Sequence, residues 1–241
     1  MSRSAEPEVS VIVPALNEEA TIGEVVERLL ALPLSVQVIV VDDGSTDRTA
    51  AVLAPYADRI LILRNERPSG KGSAIRQALP HVRGEAVIIQ DADLEYAPEQ
   101  IPGIVRPILQ GESDVVYGSR FTNGFPEGMA LPNRVVNVLL AWTVRLLFFR
   151  RITDEATCYK AFRREVLLDM DLSCRRFEFC PEVTAKAIRM RKDILEVSID
   201  YEPRSKAAGK KIRWTDAPDA FWTLLKWRFR AWKRPRRESS P

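Results

Sequence analysis

The chain has 241 residues, of which 46% are hydrophobic and 29% are charged, and its formal net charge is +3. This length suits one sizeable α/β domain whose core needs neither disulfides nor a structural metal. His81 is the only histidine, and no two cysteines have the Cys-x-x-Cys spacing. These counts exclude zinc hydrolases and every catalytic triad that uses histidine as its base. The three cysteines are expected to be reduced thiols of a cytoplasmic protein.

No segment has the length and apolarity of a signal peptide or a membrane span. The apolar run at residues 9–13 is short, and the longest apolar stretch, residues 135–149, is interrupted by Asn137, Thr143 and Arg145. A spanning helix needs about 20 mainly apolar residues. We therefore expect no transmembrane helix, but residues 135–149 could still lie in a membrane interface.

The first 120 residues alternate short β-branched runs with helical patterns. Strands are predicted at residues 9–13, 36–41, 60–63, 86–90 and 115–117, and helices at 20–31, 47–56, 72–79 and 98–109. This alternation predicts βαβ units, and hence a Rossmann-like α/β fold with a mostly parallel sheet flanked by helices. Beyond a Gly/Pro-rich loop at 121–133, the patterns predict helices at 134–150 and 182–190, a strand at 194–200, a basic loop at 204–213 and a basic, aromatic segment at 217–237.

Polar residues follow three of these strands. They occupy residues 14–18 after the first strand, 42–46 after the second and 91–95 after the fourth. Ligands of parallel α/β sheets bind at the carboxyl ends of the strands. We therefore expect the three segments to form one site.

The segment after the fourth strand contains Asp91, Ala92, Asp93 and Glu95. Carboxylates two residues apart on an extended chain point to the same side. Three such groups attract a hard divalent cation, which in turn binds diphosphate oxygens and acts as a Lewis acid and template. The alternative is a turn with Asx caps before a helix opened by Pro98. The position after the fourth strand favours the metal site.

The loops after the first two strands are candidates for nucleotide binding. One of Asp42 and Asp43 could accept the N–H groups of a uracil or guanine base, although the same segment also suits a helix cap. Residues 14–18, with Pro14, Leu16, Asn17 and Glu18, would wrap the base and ribose, or would simply cap the next helix.

A glycine-flanked lysine, Lys71, is a further candidate contact for the donor. Gly70-Lys71-Gly72 resembles an anion-binding turn but lacks the spacing of a P-loop, so ATPase chemistry is not expected.

Together these segments resemble the family 2 inverting glycosyltransferases with the GT-A fold. The resemblance is closest to polyprenyl-phosphate sugar synthases of the dolichyl-phosphate mannose and glucose synthase type. It rests on five segments in order, residues 11–18, 41–47, 70–72, 90–95 and 118–121, with weaker similarity to about residue 213.

The resemblance implies metal-dependent, inverting transfer of a hexose from a UDP- or GDP-sugar to a polyprenyl (dolichyl or undecaprenyl) phosphate. It implies a GT-A domain at 1–215, with a donor half at about 1–120 and an acceptor half at about 121–215. Candidate donor contacts are then Pro14, Leu16, Asn17, Glu18, Asp42, Asp43, Lys71, Asp91 and Ala92. The residues implied to hold Mg²⁺ or Mn²⁺ are Asp91, Asp93 and Glu95, with Asp93 counted among the catalytic residues. The acceptor phosphate would be bound by Arg120 and Arg134, and by Arg204, Lys210 and Lys211 of the basic loop.

Departures from the family concern the acceptor side. The family's Ser-Gly-Phe-like stretch reads Ala156-Thr157-Cys158-Tyr159 here, after Asp154. The Gln-x-x-Arg-Trp motif of processive synthases is missing, which argues against processive chain growth.

A phosphate acceptor explains how the chemistry can proceed without histidine. Phosphate monoesters are mostly dianionic at neutral pH, because their second pKa lies near ~6, and so need no base. The protein must instead hold two anionic groups together with arginines, a lysine and a metal. If the acceptor is a saccharide or another hydroxyl compound, Asp154 is the candidate base. A non-catalytic nucleotide-binding membrane adaptor is the third hypothesis, which the acidic triad disfavours.

The end of the sequence, residues 216–241, is predicted to form a basic, aromatic membrane-associating tail. Phe221, Leu225, Phe229 and Trp232 recur at three- or four-residue spacing beside Trp222, among many lysines and arginines. This pattern predicts a helix lying on an anionic bilayer, and hence peripheral attachment to the cytoplasmic membrane face. The alternatives are a helix docked on the core and a nucleic-acid patch, and nothing else in the chain supports nucleic-acid binding. The sequence leaves the sugar, the base and the oligomeric state open.

Overall fold

The computed structural model describes residues 6–122, 124–126, 128–202 and 217–232. Its strands are β1 (Val9–Ala15), β2 (Val36–Asp42), β3 (Leu61–Arg64), β4 (Ala86–Ile89), β5 (Val115–Ser119), β6 (Lys160–Arg163) and β7 (Leu195–Ser198). Its α-helices are α1 (Ile22–Leu30), α2 (Thr49–Leu53), α3 (Lys71–Ala78), α4 (Ile101–Leu109), α5 (Leu131–Phe148), α6 (Arg164–Leu168), α7 (Phe179–Arg189) and α8 (Ala217–Phe229).

Within the described residues the strands form one mixed sheet in the order β3-β2-β1-β4-β6-β5-β7. β1 to β4 are parallel to one another, and β7 is parallel to β5, whereas β6 runs antiparallel to both of its neighbours. The predicted mixed, mostly parallel sheet flanked by helices is confirmed. β6 and the short helix α6 were not predicted from the sequence.

The central strands are buried on both faces, as their β-branched runs indicate. Every residue of β4 is buried, and β1 and β2 are buried over most of their length. Helices α1, α3 and α4 cover the sheet with their apolar sides. Parallel strands in this order bring the carboxyl ends of β1, β2 and β4 to one edge, with Ala15 opposite Asp42 and Ile12 opposite Ile89.

A second apolar cluster joins α5, α7 and α8. Its buried members include Leu140 and Val144 of α5, Ala185 of α7, and Leu224 and Trp227 of α8. The buried side of α8, with Leu224 and Trp227, is not the predicted stripe, whose residues are partly buried or exposed. Phe221 and Trp232 pack at the border of this cluster, while Leu225 and Phe229 of the same stripe are exposed.

Helix α5 begins three residues earlier than predicted and exposes one long apolar side. None of the helices in the described ranges combines the length and apolarity that crossing a bilayer requires.

Candidate active site

A cavity of about 510 Å³ opens at the edge of the sheet where β1, β2 and β4 end. Ten of the residues singled out from the sequence line it: Pro14, Leu16, Glu18, Asp43, Lys71, Asp91, Ala92, Asp93, Glu95 and Arg120. Parts of α5, α7 and α8 form the remaining walls. The strand order thus brings together the loops after three separate strands.

Asp43 organises the wall of the cavity that carries Lys71. Its carboxylate accepts hydrogen bonds from the side chain of Asn65 (2.7 Å), the hydroxyl of Ser69 (2.7 Å) and the backbone N–H of Gly70 (2.7 Å). Burial raises the pKa of Asp43, but these hydrogen bonds lower it by a larger amount. The pKa of Asp43 therefore lies below its usual value. Asp43 therefore stays ionised and fixes the turn before α3.

That turn requires glycine at position 70. Gly70 has φ 97° and ψ 155°, a conformation that only glycine adopts readily. A Cβ atom there would lie 2.4 Å from the carbonyl oxygen of Arg175. The close approach of two backbones places Lys71 at the first position of α3, facing the cavity.

Asn17 and Asp42 do not line the cavity, contrary to their predicted role as donor contacts. Asp42 is buried, and its Oδ1 accepts the backbone N–H of Ser45 at 2.9 Å. Asn17 adopts φ 52°, and its side-chain oxygen accepts the N–H of Thr46 at 2.8 Å. The Asn17 side chain therefore holds the two loops to each other, and Asp42 closes the turn of its own loop, which agrees with the capping alternative for these segments.

The acidic segment meets the lysine inside the cavity. The ammonium group of Lys71 donates to Asp91 Oδ1 and lies 3.3 Å from Cys158 Sγ. Burial opposes the charge of Lys71, but the neighbouring Asp91 carboxylate more than compensates, and the pKa of Lys71 is raised well above its usual value. Lys71 is thus a fixed cation in the cavity, paired with the acidic segment.

Asp93 and Glu95 line the same wall, although the segment is not extended as expected. Leu94 between them has φ 39°, and the backbone bends there. The N–H of Glu95 donates to Asp93 Oδ1 at 3.2 Å, and Glu95 Oε2 accepts the hydroxyl of Tyr201 at 2.8 Å. Across the described part of the chain, no three His, Cys, Asp or Glu side chains are grouped as a ready-made metal site.

Arg120 faces the cavity from the end of β5 and is held from behind by Asp154. Its Nε donates to Asp154 Oδ2 at 2.6 Å, and its Nη2 donates to Oδ1 at 2.7 Å. Burial lowers the pKa of the guanidinium, but Asp154 raises it more, so Arg120 stays charged. Its Cζ also lies 5.0 Å from the centre of the Tyr201 ring.

This ion pair corrects the role predicted for Asp154. Asp154 is fully buried, both of its carboxylate oxygens are bound by Arg120, and it does not line the cavity. A carboxylate committed in this way cannot take a proton from an acceptor hydroxyl without breaking the pair.

Arg134, the other predicted acceptor cation among the described residues, is not part of the cavity that Arg120 lines. Arg134 donates to the carbonyl oxygens of Met129 (2.9 Å) and Pro126 (3.4 Å) and does not line the cavity. These two hydrogen bonds fix the loop that precedes α5. Arg204, Lys210 and Lys211 lie outside the described residues.

Three carboxyl residues that line the cavity were missed from the sequence, and of these only Glu155 is buried; the others are Glu178 and Asp219. Glu155 is buried and lines the cavity, and Thr184 Oγ1 lies 3.4 Å from its Oε1. Burial raises the pKa of Glu155, and the nearby Lys160 only partly offsets this. Its position next to Asp154 was a signal, but sequence alone could not show which of the two neighbours faces the cavity.

Comparisons with known proteins show which family and which solved structures this chain resembles. The family model described as Glycosyl transferase family 2 matches residues 10–170. The low-salt glycan biosynthesis hexosyltransferase Agl6 of Haloferax volcanii is 31% identical over 82% of this chain and 48% of its own length. The dolichol-phosphate mannosyltransferase of Pyrococcus furiosus is 27% identical over 84% of this chain and 58% of its own length.

A third relative, an undecaprenyl-phosphate 4-deoxy-4-formamido-L-arabinose transferase of Pseudomonas aeruginosa, is 34% identical over 72% of this chain and 52% of its own length. The chain therefore spans about half the length of these curated relatives.

Among solved structures, glucosyl-3-phosphoglycerate synthase from Mycobacterium tuberculosis with Mn²⁺, UDP-glucose and phosphoglyceric acid superposes with a TM-score of 0.71. It is 24% identical and covers 92% of this chain and 80% of its own. This likeness confirms the predicted GT-A fold.

Proposed function

Because the chain belongs to glycosyl transferase family 2, we propose that it transfers a hexose from a UDP- or GDP-sugar to a polyprenyl phosphate. The enzyme is a glycosyltransferase, and polyprenyl-phosphate sugar transferases are among its relatives. We further propose that it uses Mg²⁺ or Mn²⁺ and works while peripherally attached to the cytoplasmic face of a membrane.

One observation supports the proposal most strongly: cationic side chains from two separate elements line a single cavity. Lys71 begins α3 beside the acidic segment, and the charged Arg120 follows β5. Transfer between a nucleoside diphosphate and a phosphate requires two anions to be held close together. The side chains of Lys71 and Arg120 are only 14% and 7% exposed, and mostly buried cations offset that repulsion more strongly than they would in water.

The residues present fit a divalent cation that is shared with the donor. Mg²⁺ is usually held by one or two carboxylates together with substrate phosphates, so a complete protein cage is not required. Asp91, Asp93 and Glu95 supply carboxylates on one wall of the cavity. When bound, the metal would neutralise the charge of the departing diphosphate. The solved relative with Mn²⁺ and UDP-glucose supports this choice of cofactor.

Residues of the chain itself would bind the nucleotide, the diphosphate and the acceptor phosphate. Pro14, Leu16, Glu18 and Asp43 line the part of the cavity proposed to hold the nucleotide. Lys71, already paired with Asp91, would gain the diphosphate as a second anionic partner. Arg120 would orient the acceptor phosphate, whose oxygen needs no base to attack the anomeric carbon. Attack opposite the leaving group would invert an α-linked donor to a β-linked product.

A second candidate function is transfer to a hydroxyl acceptor, and Glu155 is the observation that favours it. This carboxyl group faces the cavity and has a raised pKa, as a general base for a hydroxyl requires. In that case Glu155, and not Asp154, would be the base.

Labelled donors distinguish these functions. We would incubate the protein and Mn²⁺ with UDP- and GDP-hexoses and either undecaprenyl phosphate, the corresponding alcohol or soluble saccharides. We expect labelled product in the organic phase with the phosphate only, because the alcohol offers neither the charge nor the ionised nucleophile. Label appearing only on soluble saccharides would contradict the proposed acceptor, and no transfer from any donor would contradict the whole proposal.

A further inference from the structure

Two neighbouring helices expose most of the large apolar side chains on the described surface. α5 exposes Leu139 (50%), Trp142 (61%) and Leu146 (75%), and α8 exposes Trp222 (67%), Leu225 (40%) and Phe229 (75%). We call these six side chains the apolar face. Soluble monomers rarely expose apolar patches of this kind unless the patch binds a partner or a membrane.

The apolar face is not a by-product of loose packing, because the opposite sides of both helices are well packed. Leu140 and Val144 of α5 are buried against Leu224 and Trp227 of α8. Arg228 of α8 donates to the carbonyl oxygen of Leu147 at 2.7 Å, which fixes the two helices to each other. The exposed residues recur at three- and four-residue spacing, so each helix presents one apolar stripe outward.

The charges around the apolar face favour anionic lipid as its occupant. α5 contains no acidic residue, and Asp219 in the first turn is the only one in α8. The guanidinium groups of Arg145 and Arg228 lie 5.2 Å and 5.7 Å from the rings of Trp142 and Phe229. Arginines beside exposed aromatic rings suit the boundary between lipid headgroups and acyl chains.

A second copy of the chain fits this surface less well. In a two-fold dimer the same patch meets itself. Arg145 and Arg228 would then face their own copies with few acidic partners on these helices. Like charges placed together oppose association.

The same two helices also form a wall of the candidate active site. Asn133, Val136 and Asn137 of α5 and Ala220 of α8 line the cavity, and Arg120 Nη2 lies 3.4 Å from Asn137 Oδ1. A bilayer that covers the apolar face would therefore lie against the helices that separate it from Arg120.

We infer that the apolar face of α5 and α8 docks the enzyme on an anionic bilayer, and that these helices bring the acceptor side of the cavity to the lipid surface. The second part rests on the proposed function, whereas vesicle binding can be measured without any catalytic activity.

Vesicle sedimentation with the full chain tests the docking surface. We expect the wild type to bind vesicles containing phosphatidylglycerol at least about tenfold more tightly than pure phosphatidylcholine vesicles. The double variant Leu139→Glu/Trp222→Glu should lose at least about tenfold of that binding, because two charges would have to enter the acyl boundary. The matched control Leu168→Glu/Leu195→Glu changes exposed leucines elsewhere (37% and 40% exposed) and should bind as the wild type does.

Fluorescence gives a positional readout on folded protein. Brominated lipids should quench Trp142 and Trp222, and the variant Trp142→Phe/Trp222→Phe, which keeps Trp214, Trp227 and Trp232, should lose the part of the quenching that comes from these two exposed side chains. Equal vesicle binding by the Leu139→Glu/Trp222→Glu variant, or a wild-type dimer that this variant dissociates, would overturn the inference.

A separate arm distinguishes this inference from the proposed function. Transfer to a short-chain polyprenyl phosphate in detergent should survive in Leu139→Glu/Trp222→Glu, because neither residue lines the cavity. If the wild type bound vesicles but transferred no sugar, the proposed function would be wrong and the docking surface would still be supported.

Discussion

Replacing Asp93 by Asn is expected to lower the transfer rate at least about a hundredfold, the size of effect seen when one preorganised electrostatic group is removed from an active site. Asp93 lines the cavity between Asp91 and Glu95, where its charge would help to hold the cation beside the diphosphate. The fold should be unaffected, because an amide oxygen can still accept the N–H of Glu95. The measurements are kcat over a range of Mn²⁺ concentrations and the thermal unfolding midpoint.

Asp193→Asn is the matched control for this variant. The Asp193 side chain is 84% exposed and pairs with Arg150 on the surface, 3.1 Å away. It should retain wild-type turnover and Mn²⁺ dependence. If Asp93→Asn also kept both, the metal assignment would be wrong.

Removing the guanidinium of Arg120 should damage stability and activity together, and a second substitution can separate the two effects. In Arg120→Met, the fully buried Asp154 loses both of its charge-assisted hydrogen bonds. Leaving one partner of a buried ion pair uncompensated costs about 3–5 kcal/mol of unfolding free energy. Urea denaturation should show this as a lower midpoint with an unchanged slope.

The double variant Arg120→Met/Asp154→Leu should recover most of that stability, because apolar pairs often replace buried ion pairs at little cost. Its transfer activity should nevertheless remain below about one hundredth of the wild-type value, because the cavity lacks the cation proposed to bind the acceptor phosphate. Activity that returned together with stability would show that Arg120 only supports the fold.

The strands and helices of the first 120 residues were predicted well, for a simple physical reason. β1, β2 and β4 are buried parallel strands, which read as uninterrupted β-branched runs. β6 was missed because its sequence, Lys-Ala-Phe-Arg, carries charges at both ends. Lys160 is nevertheless fully buried, since its ammonium group donates to the carbonyl oxygen of Glu155 at 2.7 Å and lies 3.5 Å from the centre of the Tyr117 ring. Such compensation comes from tertiary structure and leaves no local pattern.

The candidate site was predictable where residue type and strand position agree. Asp91, Asp93 and Glu95 follow β4 and line the cavity, and Lys71 begins α3 opposite them. The orientation of single side chains was not predictable. Asp42 and Asp43 are neighbours, yet one is turned into the loop and the other lines the cavity.

The same limit applies to the acceptor side and to the last helix. Asp154 pairs with Arg120 while its neighbour Glu155 lines the cavity. The outward-facing stripe of α8 was predicted, but the second apolar side, with Leu224 and Trp227, which packs against α5 and α7, was not. Helical spacing shows that a helix is amphipathic but not which of two apolar sides meets its neighbours.

We propose that the loops after β1, β2 and β4 form one pocket for a nucleoside diphosphate and a divalent cation. Crystals grown with Mn²⁺ and either UDP or GDP test it most directly, through anomalous scattering from the manganese. We expect one strong anomalous peak inside the cavity beside Asp93, with diphosphate density between that peak and Lys71. A nucleotide bound outside the cavity, or manganese bound away from the acidic segment, would contradict it.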